Sequence, residues 1–196
     1  MSYNPLIHHR RSIRLREFDY SKTGSYFITL ICRDRHPIFG HIQNGIMCLN
    51  EFGSIAYQTW LETTSIRPNV ALGDFIIMPN HMHGIVTIKE KSPLSDSTDH
   101  QNGPTRFSSP KQTVGAIVRG YKGAATKRIK EIVRERSLGE DKGELQFAST
   151  VDLEKSIWQR NYYENVIRDK RAYRNISKYI RENPSSDEGE GDRAVR

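Results

Sequence analysis

Cysteine is almost missing from this 196-residue chain. The two present, Cys32 and Cys48, form neither a metal-type spacing nor a disulfide framework, which points to a reducing compartment and a cytoplasmic protein. Long hydrophobic runs are missing too. The most apolar stretch, Tyr26 to Cys32, is far too short to span a bilayer, so no membrane partner is expected. Arg10 and Arg11 are followed by further charges and no apolar segment, which argues against a secretory signal. Acids are the scarcer charge, 23 against 30 Lys and Arg, and the formal net charge of +7 favours a polyanionic partner.

What is there fits one soluble domain with polar appendages, since 36% of residues are hydrophobic and 27% charged. A basic arm (1–23) carries Arg10, Arg11, Arg14 and Arg16. The domain runs over 24–184, and a Ser-, Pro- and Gly-rich surface linker interrupts it at 90–110. An acidic tail (185–196) reads as disordered. Within the domain, Gly24 to Arg33 is aromatic and β-branched and predicts a strand. Asn50 to Ser65 predicts a helix capped by Asn50. Gly73 to Met78 and His83 to Lys89 predict two antiparallel strands around the Pro79-Asn80 turn signal. Thr113 to Glu135 carries Val114, Ile117, Val118, Tyr121, Ala125, Ile129 and Ile132 on one helical stripe. Ser137 to Asp152 reads as loop, and Ile157 to Ile167 as strand or irregular. Asp169 caps a last helix expected to end at Asn183, because Pro184 follows. The order β-α-β-β-α-β-α is that of a ferredoxin-like α/β (α+β) fold, an antiparallel sheet with helices on one face.

His81-Met82-His83 stands out chemically. On an extended chain, residues i and i+2 share a face, so the two imidazoles would project together as metal ligands while Met82 turns to the opposite side. The plainer alternative is two half-exposed polar residues on an ordinary strand. Tyr179-Ile-Arg-Glu-Asn183 adds a second element. At i and i+4 on a helix, the Tyr179 hydroxyl and the Asn183 amide share a face, and the amide oxygen can serve as a third ligand. A phenol is a competent nucleophile toward a phosphodiester polarised by a cation. The resulting ester keeps the bond energy, so a second DNA end can be joined without ATP. Of the tyrosines from Tyr162 to Tyr179, only Tyr179 has an amide one turn on. By itself, though, it also suits a core stripe with Ala172 and Ile176.

Together these residues resemble the single-tyrosine HUH transposases, closest to the branch of REP-associated tyrosine transposases. The resemblance rests on Pro79-Asn80-His81-Met82-His83-Gly84, Arg10 to Leu15, Asp19-Tyr20-Ser21, Gly24 with Tyr26-Phe27, Asn50 to Gly53, Trp158 to Glu164, and Tyr179-Ile180 leading to Asn183-Pro184. It covers about residues 10 to 184, apart from the linker. It implies a ferredoxin-like sheet with a catalytic C-terminal helix, Mg²⁺ or Mn²⁺ held by His81 and His83 with Asn183, and Tyr179 as the nucleophile forming a 5′-phosphotyrosine link. The implied substrate is single-stranded DNA, often with hairpin-forming repeats. The catalytic helix would come either from the same chain or from the second subunit of a homodimer.

Arg10, Arg11, Arg14 and Arg160 are the expected DNA contacts, the first three because they cluster without nearby acids. Lys127 to Arg136 is interleaved with Glu131 and Glu135 and reads as the outer face of a helix. Tyr20, Tyr26 and Trp158 can stack on bases, but each suits a core or strand position better. Two other functions fit the same residues: a non-catalytic hairpin-binding module on this fold, and a metal-dependent nuclease that uses water.

Overall fold

Strand β1 (Gly24–Ile31) alternates strictly: Tyr26, Ile28 and Leu30 are buried on one side, and Phe27 and Thr29 are half-buried on the other. The computed structural model describes residues 22–90, 113–138 and 154–186. β1 is followed by a 3-10 turn at Arg33–Arg35, so the strand stops two residues short of the expected Arg33. Then come β2 (Gly40–Gln43), β3 (Ile46–Leu49), α1 (Glu51–Leu61), a single turn α2 (Thr63–Ile66), β4 (Val70–Ile77) and β5 (His81–Ile88). Beyond the linker lie α3 (Val114–Leu138), β6 (Tyr163–Ile167) and α4 (Lys170–Ser186).

The main sheet has the order β4-β5-β1-β6, antiparallel throughout, with β2 and β3 as a separate hairpin. This is the interleaved arrangement of a ferredoxin-like fold, with β1 in the interior flanked by β5 and β6. The caps behave as their residue types require. Asn50 accepts from the Gly53 amide at 2.9 Å, Thr113 from Ala116 at 3.1 Å and Asp169 from Ala172 at 2.8 Å.

Two layers cover the sheet, and they lie on opposite faces. Tyr26, Ile28, Leu30, Met82 and Val86 meet Phe52, Ala56 and Trp60 of α1 and Ile117, Tyr121, Ala125 and Ile129 of α3 in the principal core. Each fully buried Val, Leu, Ile, Phe or Met side chain among them contributes about 1.5–3 kcal/mol. On the other face, Ile85, Ile167 and Phe27 meet Ala172, Tyr173, Ile176 and Ile180 of α4. The expectation of helices on one face is therefore corrected: α4 takes the side that α1 and α3 leave open, because β1, β5 and β6 carry apolar residues on both faces. Gly73 makes the close approach feasible. A Cβ there would collide with the Tyr173 hydroxyl and lie 3.0 Å from Cβ of Ile85.

Other boundaries also differ. The hairpin β2–β3 was not expected, although Asn44-Gly45 marks it: both residues have positive φ, 52° and 70°, as a two-residue turn of this kind demands. β4 starts at Val70 rather than Gly73 and has a register shift between Leu72 and Phe75. The expected loop from Ser137 is helical through Leu138. α4 runs through Pro184 to Ser186, past the expected stop at Asn183, although Pro184 has no N–H to give the Ile180 carbonyl. The first two residues assigned to the tail are thus helical. The arm through residue 21, the linker from residue 91, the loop beyond Leu138 and the tail beyond Ser186 lie outside the described residues. Among the described residues no helix is long and apolar enough to cross a membrane.

Candidate active site

His81 and His83 occupy the first and third positions of β5, and both point to the α4 side of the sheet, while Met82 is fully buried in the opposite core. The imidazoles are 6% and 5% exposed, with ring centroids 4.7 Å apart. They are not the half-exposed residues of an ordinary strand.

Each ring is held from behind. His81 Nδ1 donates to Oδ1 of Asn80 at 2.6 Å, since an amide oxygen can only accept; the free lone pair of that ring is then on Nε2. His83 Nδ1 lies 2.8 Å from the Thr29 hydroxyl, its direct partner in the β1–β5 register. Phe27 stacks on His83 with centroids 5.3 Å apart and planes at 25°. Burial, and secondarily the neighbouring His81, push the His83 pKa down to about 3. The ring is neutral at physiological pH, which is the form that ligates a metal.

Helix α4 completes the cluster. The Tyr179 hydroxyl lies 3.3 Å from Nε2 of His83, and its ring meets Phe27 edge-on at 6.2 Å. Tyr179 is 37% exposed, so it stands at the rim with its hydroxyl turned to the histidines. Asn183, one turn on, is buried at 7% exposure. Among the described residues it makes no hydrogen bond to either imidazole. The other tyrosines of this region lie elsewhere. Tyr163 is exposed on β6, Tyr162 packs against the principal core, and Tyr173 lies over Gly73.

Among the described residues no three His, Cys, Asp or Glu side chains converge as a metal site. The two imidazoles, with the buried Asn183 amide one turn beyond Tyr179, offer donor types, nitrogen and oxygen, of the kind that suit several divalent ions.

The expected DNA contacts fare differently. Arg10, Arg11, Arg14 and Tyr20 lie outside the described residues. Arg160 is exposed beside Gln159, whose amide bonds to the Ile31 carbonyl; Ile31 pairs with His81, so Arg160 sits at the histidine end of the sheet. Lys122 grips that loop, donating to the carbonyls of Gln159 and Asn161 at 2.8 and 2.9 Å. Tyr26 and Trp158 are each 1% exposed and serve the core. Two cations of α3 are tied to acids, Arg128 to Glu62 at 2.7 Å and Arg136 to Glu51 at 2.8 Å, and Lys127 lies 3.8 Å from Glu131 on the same helix. Thr29 and Phe27 were not anticipated as site residues. Their one sequence signal was the alternation of β1, which places both on a single face.

The class comes first, from the fold alone: the chain has the fold of a REP-associated tyrosine transposase. A solved structure of such a transposase bound to a REP hairpin matches it with a TM-score of 0.53 and 19% identity, over 89% of this chain and 74% of that one. A candidate transposase from Deinococcus radiodurans R1 is similar at a TM-score of 0.43 and 13% identity, over 87% of this chain and 96% of that one. No protein-family model matches the sequence. An uncharacterized protein of Haemophilus influenzae is 39% identical over 184 residues, 93% of this chain and 92% of that protein, and the chain belongs to the same family as that protein.

Proposed function

We propose that this protein cuts and rejoins single-stranded DNA through a 5′-phosphotyrosine intermediate, with Tyr179 as nucleophile. The observation that carries the reading is the 3.3 Å approach of the Tyr179 hydroxyl to His83. The resident ion would be Mg²⁺ or Mn²⁺, held by His81 and His83 with Asn183 as third ligand; when bound it polarises the scissile phosphate. Tyr179 Oη attacks phosphorus, the P–O3′ bond breaks, and the strand ends in a 3′-hydroxyl. The phenolic proton passes to water at the exposed rim, and the leaving oxygen takes one from water. Attack by a second 3′-hydroxyl reverses the step and frees the tyrosine. Asn80, Thr29 and Phe27 hold the two rings in place. The nucleic-acid partner is inferred from the hairpin bound by the solved relative and from this chain's positive charge.

The test is an adduct assay with labelled single-stranded oligonucleotides from DNA beside the chain's own gene, with Mn²⁺ or EDTA. The expected result is a metal-dependent, denaturation-resistant protein–DNA band, absent in Tyr179→Phe and His81→Ala. Cleavage without adduct that survives Tyr179→Phe would replace this reading with a water-using nuclease. Tight binding with neither product would replace it with a binding module.

A further inference from the structure

Helix α4 carries its positive charge where folding alone would not put it. Lys170 and Arg171 lie in the first turn, with Arg174 just beyond, and no acid occupies that turn. The helix N-terminus already bears the positive end of the macrodipole, so cations there oppose helix formation. Among the described residues, Lys170, Arg171 and Arg174 enter no ion pair, unlike Arg128 and Arg136 of α3, which pair with Glu62 and Glu51. All three are exposed, as is Lys178, whose contact with Glu182 at 3.9 Å is loose.

Their placement relative to Tyr179 is specific. Residues spaced by four form a row along a helix, and Arg171, Asn175 and Tyr179 make one such row. Asn175 is exposed, and Arg171 stands about 12 Å from Tyr179 along the axis, at roughly 1.5 Å per residue. Lys170, Arg174 and Lys178 flank it. A strand joined to the tyrosine therefore meets an amide and then a run of cations along the outer face of the same helix.

We infer that the row from Tyr179 through Asn175 to Arg171, with Lys170, Arg174 and Lys178, is the phosphate track for the single-stranded DNA flanking the scissile bond. The inference rests on the tyrosine-transferase reading above. It adds a surface, and it explains cations placed against the dipole: their potential is directed at an anion outside the helix.

The test is a triple variant, Lys170→Gln, Arg171→Gln and Arg174→Gln, compared with the equal-charge control Lys127→Gln, Lys130→Gln and Arg134→Gln on α3. Fluorescence anisotropy against a DNA hairpin with a single-stranded flank gives affinity over a range of salt. The α4 variant is expected to lower the slope of log K against log salt by about 2, from roughly 0.7 per single-strand phosphate. Its melting temperature should stay level or rise, because the dipole conflict is relieved. A merely structural role would lower it. The α3 control should leave the slope unchanged. Equal loss in both variants, or an unchanged slope in the α4 variant while wild type still forms the adduct, overturns the track. Loss of affinity for the matching RNA hairpin alone overturns its assignment to DNA. A wild type that neither binds nor forms adducts with any flanking hairpin overturns the tyrosine reading itself, and the track with it.

Discussion

The hydroxyl of Tyr179 lies 3.3 Å from Nε2 of His83, two groups separated by 96 positions in the chain. The contact bridges the last helix and the interior of the sheet. Tyr179→Phe removes one rim hydroxyl and leaves the ring against Phe27. We expect stability to change by less than about 0.5 kcal/mol, as for other surface substitutions. Adduct formation should disappear entirely; denaturing gels and urea unfolding check the two halves.

Thr29 stands behind His83 as Asn80 stands behind His81. When Nδ1 of His83 donates to the Thr29 hydroxyl, Nε2 is left as the ligating nitrogen. Thr29→Val should weaken Mn²⁺ binding by roughly 10- to 100-fold, and Thr29→Ser should restore most of it. Calorimetric titration with Mn²⁺ measures this without any DNA. Equal binding by the valine variant would show that the hydroxyl does not set the tautomer.

Burial lowers the Lys122 pKa from 10.5 to about 8, partly offset by Cys32. Between about 8 and 10.5 the unfolded chain binds a proton that the folded chain has already released. This group therefore makes stability rise with pH across that window, and the contribution is lost as pH falls back through 8. Urea midpoints across the window should show the rise in wild type and its reduction in Lys122→Met. At neutral pH the same variant leaves two carbonyls, of Gln159 and Asn161, without their donor, and should lose about 1–3 kcal/mol.

Gly73→Ala places a methyl group against the Tyr173 hydroxyl and the Ile85 side chain. Relief requires α4 to lift from the sheet, at a cost of about 1–3 kcal/mol. The adduct yield should fall with it, although no site residue is altered. Thermal unfolding together with the adduct assay tests this. Stability lost with the adduct yield unchanged would mean that the shift does not reach Tyr179.

Much of the fold was legible because local signals agreed with the tertiary outcome. Asn50, Thr113 and Asp169 cap helices as their side chains predispose them to, and β1 alternates because one face meets α1 and α3. The hairpin at Asn44-Gly45 was equally legible, yet its flanking strands are only four residues each and partly exposed, so their pattern is weak. The extent of α4 was misread because Pro184 was taken as a stop, yet Ser185 and Ser186 beyond it are still helical.

By itself, the sequence determined the order of the main-sheet strands and their helices, though not the β2–β3 hairpin, and the pairing of His81 with His83 on one face. It also set Tyr179 and Asn183 one turn apart. These are consequences of periods two and 3.6 along a single chain. Only the tertiary structure decided which face α4 would cover, and hence which tyrosine would reach a histidine. It also decided that Thr29 and Phe27 would secure His83, and that Arg128 and Arg136 of α3 would meet Glu62 and Glu51 while Lys170, Arg171 and Arg174 of α4 meet no acid among the described residues. Such relations depend on strand register and on packing between segments far apart in sequence, and no local pattern encodes either.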